Sequence, residues 1–326
     1  MKKILITGVL NQPFGSFPVA SQSDDGVSWD TPTAPFSTND APTAIATDES
    51  SIVISNAKGW ISVSNDNLQT YTQTVVSDGF NIASMIYSNN KWLAAGQKFY
   101  NTSYGPYDAH NDIAQIHSAT NPFGPWSMVW ISNNTNSFLY QIKKISLGQV
   151  TSTVSIDVIV AVGSIGTTAY ALYSIDNGTT WNEVTIPAGV SRLYSVSFAS
   201  VGSENSWYWG SANNLYKSEN LTDGNWTEVS INSNTIITDM VSDDENLIAA
   251  GTDVLHTSQN GVFFNTVVKA GYVFDKVSRI QSGSDGIYLA FMRSNLTQYT
   301  HLTSNNGLDW TARNNNITVS GCCISI

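Results

Sequence analysis

The chain has 326 residues, of which 41% are apolar and only 12% charged, about half the usual charged share. Its net charge of −11 and its 14 lysines and arginines leave no basic stripe for phosphates, so neither nucleic acid nor an anionic membrane is an expected partner. The surface must be made polar by Ser, Thr, Asn and Gln, a composition frequent on secreted proteins and phage particles.

In chain order, the first element is the apolar run Ile4–Thr7. It opens like a signal peptide but breaks at Thr7 and Gly8 and lacks a small-residue cleavage site, so it is predicted to be a strand of the fold. No apolar run approaches the length of a membrane-spanning helix. A turn motif follows at Gln22–Trp29 and then recurs. Its clearest copy is Ser174-Ile175-Asp176-Asn177-Gly178-Thr179-Thr180-Trp181, and copies begin at 22, 64, 118, 174, 218, 257 and 303, in steps of 39 to 56 residues. Aligned on that copy, the first places Asp24 and Trp29, the second Asp66, and the last Asn305 and Trp310 at the matching positions. The copies at 118 and 218 are stretched by inserted residues. Such a turn leaves N–H groups without ladder partners; a Ser hydroxyl and an Asp carboxylate accept from them, Gly supplies a positive φ, and the aromatic anchors the returning strand.

Between copies run short β-rich segments, shown best by Ile236–Val241, Asn246–Gly251, Val254–Thr257 and Phe264–Val268. Matching first strands begin near Pro42, Asn81, Tyr140, Arg192 and Phe274, and matching second strands are Ile52–Ser55, Trp92–Gly96 and Val158–Gly163. A final run, Ile317–Ile326, carries the adjacent Cys322 and Cys323, which read as small strand fillers rather than a disulfide framework. Four strands per step predict one all-β domain over residues 1–326: a seven-bladed β-propeller of four-stranded antiparallel blades, with residues 317–326 completing the first blade beside Ile4–Thr7.

The turns resemble the Asp-boxes (BNR repeats) of sialidases and related propellers. That resemblance implies a structural role for Asp24, Trp29, Asp66, Asp176, Gly178, Trp181, Asn305 and Trp310, in hairpins between third and fourth strands, away from the active face. Sialidases also use an arginine triad, a Tyr–Glu pair and an Asp acid/base. The four arginines here are Arg192, Arg279, Arg293 and Arg313; the family's Arg-Ile-Pro signature is absent, and only Arg192 opens a first strand, where it would reach the channel mouth. Paired facing carboxyl groups, which glycosidases need, are not evident among Asp40, Asp108 and Asp112. No catalytic residue is assigned. His110, His117, His256 and His301 lack metal-ligand spacing, so no metal and no cofactor is expected.

What remains is a binding surface. The loop Gln97–Asp112 is the longest insertion at the end opposite the turns and gathers Phe99, Tyr100, Tyr104, Tyr107 and His110; long loops of this kind carry function more often than short ones do. Arg192 and Tyr272 are expected at the same end. Trp60, Trp92, Trp207 and Trp209 are read as core. The expected function is a non-enzymatic interaction or attachment module with a protein or glycan partner, within a larger assembly on a virion or other extracellular surface. The alternative is a glycan-cleaving hydrolase of sialidase-like fold.

Overall fold

Short runs of Val, Ile, Ala and aromatic residues bounded by Gly, Asn and Asp favour strands over helices. The computed structural model describes residues 3–12, 15–36, 40–99, 112–201, 204–212, 214–231, 235–243, 245–282, 285–294, 300–314 and 317–324, and every helix or strand element among them is a strand. A hairpin of β1 (Ile4–Gln12) and β2 (Gly15–Ser23) comes first. Four antiparallel four-stranded sheets follow, each with its strands in chain order. The first contains β3 (Pro42–Thr47), β4 (Ile52–Asn56), β5 (Trp60–Ser64) and β6 (Thr72–Val75). The next contains β7 (Phe80–Ser88), β8 (Lys91–Lys98), β9 (Ile113–Ala119) and β10 (Ser127–Ile131). Then come β11 (Ser137–Thr151), β12 (Val154–Ile165), β13 (Thr168–Ser174) and β14 (Asn182–Glu183). The fourth contains β15 (Leu193–Val201), β16 (Glu204–Ser211), β17 (Leu215–Ser218) and β18 (Trp226–Val229).

A six-stranded sheet ends the series: β19 (Ile237–Ser242), β20 (Leu247–Ser258), β21 (Asn265–Ser282), β22 (Asp285–Ser294), β23 (Thr300–Ser304) and β24 (Thr311–Asn314). Here the runs expected at Asn246–Gly251 and Val254–Thr257 join in β20, whose first half pairs with β19 and second half with β21. Finally β25 (Thr318–Ile324) returns to pair antiparallel with β1, Ile4 facing Ile324. The sheet β2-β1-β25 has three strands rather than four. Its expected fourth strand shrinks to a single bridge between Ala20 and Thr33, because Pro32 and Pro35 flank that residue and have no N–H for a ladder.

Apolar clusters fill the spaces between successive sheets. Val53 and Ile61 meet Phe80 and Trp92, while Val160 and Val162 meet Trp207 and Trp209. The last cluster joins Ile280, Leu289 and Phe291 to Ile4, Ile6 and Val319. Trp92, Trp207 and Trp209 are fully buried, but Trp60, at the first position of β5, is 41% exposed and is not a core residue.

The repeated turns take two lengths. In the longer form, Ser64 and Ser174 Oγ accept from the N–H groups of Leu68 and Gly178, while Asp66 accepts from Gln69 and Thr70 and Asp176 from Thr179 and Thr180. Two consecutive residues are left-handed, Asn67-Leu68 and Asn177-Gly178. In the shorter form, one residue is missing and only Gly26, Gly261 or Gly307 is left-handed. The serines are then Ser23, Ser258 and Ser304, and the accepting side chains are Asp25, Asn260 and Asn306. Asp25 and Asn306 therefore do the work expected of Asp24 and Asn305, since an alignment of equal-length turns misses the one-residue contraction. Each turn packs back on the preceding sheet: a Cβ on Gly178 would lie 2.9 Å from Leu93, and one on Gly26 2.7 Å from Leu289. Trp29, Trp181 and Trp310 accordingly sit half-buried as anchors.

The Asp66 carboxyl is lowered to about 2, first by the Thr70 hydroxyl and then by the Thr70 N–H. Burial pushes Asp176 up, but hydrogen bonds from Thr180, Ser174 and Thr179 outweigh it and bring it to about 2 as well. In urea denaturation at pH 7, Asp25→Ala and Asp176→Ala should each lower stability by ~1 kcal/mol, whereas Asp24→Ala should change it by less than about 0.5 kcal/mol. Because the folded carboxyl is depressed, the Asp176 contribution is complete above pH ~4 and is lost as pH falls towards 2. The gap between wild type and Asp176→Ala should close over that interval.

Candidate functional site

In each sheet the first and third strands run the same way, so first strands begin at the end opposite the turns. Close to that end each carries one extra residue: Thr43, Ala83, Tyr140, Tyr194, Thr238 and Asp275, with Ser320 in the corresponding place on β25. A bulge re-aims the side chains that follow it. Beside four of them the second strand has a glycine, Gly96, Gly163, Gly210 or Gly251; a Cβ on Gly163 would fall 1.8 Å from the Phe138 carbonyl.

The first strands β3, β7, β11, β19 and β21 line an open cavity of about 240 Å³. Strands lining such a space have one edge without a β-neighbour, and its N–H and C=O groups need other partners. Three side chains supply them. Gln141 Oε1 accepts from Val196 N–H at 3.0 Å, and Gln141 Nε2 donates to Asp239 at 2.8 Å. Asp239 also accepts from the N–H groups of Met240 at 2.9 Å and Val277 at 3.2 Å. Lys143 Nζ donates to the carbonyls of Met240 at 2.5 Å and Val196 at 3.2 Å, and lies 3.5 Å from Asp239. Burial holds the Lys143 ammonium below the ordinary lysine range, with Asp239 opposing that shift and Lys276 adding to it.

Above this network, at the end where the first strands begin, three half-buried rings stack. Phe138 and Tyr140 are 6.1 Å apart and nearly parallel, and Tyr140 and Tyr194 are 5.0 Å apart at 27°. Tyr140 and Tyr194 are bulge residues of neighbouring sheets. Arg192 lies two residues before Tyr194 in the chain, its Nε donating to the Gly166 carbonyl at 3.0 Å. Phe99 is 43% exposed and held at the same end by an N–H bond to Gly79 O at 3.2 Å. Tyr100, Tyr104, Tyr107, Asp108 and His110 lie outside the described residues. Tyr272 pairs with Ser294 in β21, and its side chain also lies outside them. Asp40 is ion-paired with Lys58 at 2.7 Å, and Asp112 is buried.

Arg279 is engaged elsewhere, 2.6 Å from Asp243, which also accepts from the Tyr288 hydroxyl. His117 and His256 are pushed down to about 4 by burial and bond Gln115 and Thr266, while His301 bonds the Gly26 carbonyl. Among the described residues no three His, Cys, Asp or Glu side chains group as metal ligands would. No helix among them is long and apolar enough to cross a membrane. Sequence reasoning missed Gln141, Lys143, Asp239 and Lys276; the second-strand glycines were the available signal, since each marks where a bulge presses against its neighbour.

No family model and no curated protein matches the sequence. Solved structures match in fold. A functionally unknown protein from Desulfotomaculum acetoxidans is 13% identical with a TM-score of 0.63, covering 98% of each chain. YCF48 bound to D1 peptide is 11% identical with a TM-score of 0.57, covering 85% of this chain and 82% of that one. A GH74 xyloglucanase from Xanthomonas campestris is 14% identical with a TM-score of 0.58, covering 93% of this chain but 52% of that one. YCF48 and the xyloglucanase are β-propeller proteins. This chain has the β-propeller fold. In a propeller the first strands are innermost, so the cavity lies on the central channel and the ring stack at its mouth.

The Asp239 network is expected to act as one unit. Asp239→Ala should destabilise by about 3 kcal/mol, since it strands Lys143 and two N–H groups. Adding Lys143→Met should recover part of that loss in a double-mutant cycle measured by denaturant unfolding; strict additivity would show that the two groups are not coupled.

Proposed function

We propose that residues 1–326 form one closed seven-bladed Asp-box propeller that serves as a non-enzymatic interaction or attachment module, holding a glycan or protein partner at the channel mouth opposite the turns. The carrying observation is the Phe138–Tyr140–Tyr194 stack at 6.1 and 5.0 Å. Half-buried tyrosine faces suit sugar rings or apolar side chains, with the Tyr140 hydroxyl held by Ser164 Oγ at 3.3 Å. The loop Gln97–Asp112, entered through exposed Phe99, belongs to the same proposed surface, as does Tyr272. YCF48 bound to D1 peptide offers a fold-level precedent for a peptide partner. The low-charge, Asn/Ser/Thr-rich composition supports a place on a virion or other extracellular surface.

Binding is preferred to cleavage because the cavity-lining carboxylate, Asp239, is occupied by Gln141, Lys143 and two N–H groups, whereas glycoside hydrolysis uses two available carboxyl groups. Calorimetric titration against a polysaccharide panel, with released sugar assayed in parallel, tests the reading. Saturable binding without release is expected, weakened roughly tenfold by Tyr140→Ala with Tyr194→Ala, about 1.4 kcal/mol. Released sugar would favour the hydrolase alternative.

Closure is supported by the β1–β25 pairing, by Trp29 standing edge-on to Phe291 and His301, and by the 2.7 Å bond between His301 and Gly26. Deleting residues 317–326 is expected to abolish cooperative thermal unfolding. An unchanged transition would overturn the closed ring.

A further inference from the structure

The inner-edge N–H groups fall into two halves. Val196, Met240 and Val277 each sit two residues beyond a bulge, and their N–H groups meet Gln141 or Asp239 oxygens. The same register position on β3, β7 and β11 belongs to Ile45, Met85 and Ile142. All three line the cavity. The Ile142 carbonyl accepts from Ser84 Oγ at 3.4 Å across the first-strand edge, so its N–H, on the same side of an antiparallel strand, also faces inward. Among the described residues, no side-chain acceptor meets these three N–H groups.

The charges follow the same asymmetry. Lys143, Lys276 and Asp239 line the cavity, giving one cation more than anions in a chain whose net charge is −11. Lys143 and Asp239 are committed to each other and to the strand edges, while Lys276 makes no ion pair among the described residues. Asp275, the bulge residue before it, is not among the lining groups. The cavity, at about 240 Å³, far exceeds the ~15 Å³ that one water needs.

We propose that this half of the channel is a binding site for a small oxyanion, a phosphate or a carboxylate. Its oxygens would accept from the N–H groups of Ile45, Met85 and Ile142, with Lys276 supplying the charge. The ligand would do in this half what the Gln141 and Asp239 oxygens do in the other. The site does not depend on partner binding at the mouth.

The test is an amide NMR titration of the full chain with inorganic phosphate, then with succinate, against chloride at matched ionic strength. Saturable shifts at Ile45, Met85 and Ile142 with either oxyanion, absent with chloride, are expected; which one saturates first distinguishes tetrahedral from planar recognition. Lys276→Met should weaken the affinity roughly tenfold, Lys276→Arg should retain it, and both should keep the wild-type melting temperature, since Lys276 has no structural partner among the described residues. Lys143→Met is a poorer probe because it breaks the edge network. Shifts that never saturate, or an affinity unchanged in Lys276→Met, would overturn the site.

Discussion

An innermost strand has a β-neighbour on one side only. Its other edge carries a row of N–H and C=O groups facing the same narrow space as the edges of its counterparts, and each group left unpaired there costs free energy. The fold answers that constraint with a bulge near the start of every first strand, which turns the next residue towards the channel. Gln141 and Asp239 are such residues, and with Lys143 they tie β11, β15, β19 and β21 together through hydrogen bonds of 2.5 to 3.2 Å. A single polar network thus links four first strands that share no ladder.

The same bulges decide what the channel mouth presents. Tyr140 and Tyr194 are the extra residues of adjacent sheets, and the insertion that places them there also lets their rings stack. Below them Gln141, Lys143 and Asp239 are engaged with one another and with the strand edges, and so hold the sheets in register. Asp239, surrounded by donors, is a structural acceptor.

At the opposite end, the repeated turns lock each sheet to the one before it. The Ser and Asx side chains satisfy turn N–H groups locally, freeing the glycine to press against Leu93 or Leu289 without a Cβ. Turns of two lengths achieve this because the left-handed segment can be one residue or two. Trp29 shows that the contact extends from the first turn to β22 and β23, through Phe291 and His301.

Much of this was legible in the sequence. Spaced copies of Ser-x-Asp-x-Gly-x-Thr-Trp announced an all-β repeat with hairpin turns, because a turn that needs a local acceptor, a positive φ and an anchoring ring restricts residue choice at neighbouring positions. The burial of Trp92, Trp207 and Trp209 followed from strand pattern alone. Asp25 and Asn306 escaped because a one-residue contraction leaves a similar string with its roles shifted. Gln141, Lys143 and Asp239 escaped for a deeper reason. Gln141 and Lys143 lie nearly a hundred residues from Asp239, and only the packing of separate sheets around one channel brings the amide and the ammonium within bonding distance of the carboxylate. Local hydrogen-bond demand is written along the chain; the demand of a strand edge exists only once the sheets have packed around it.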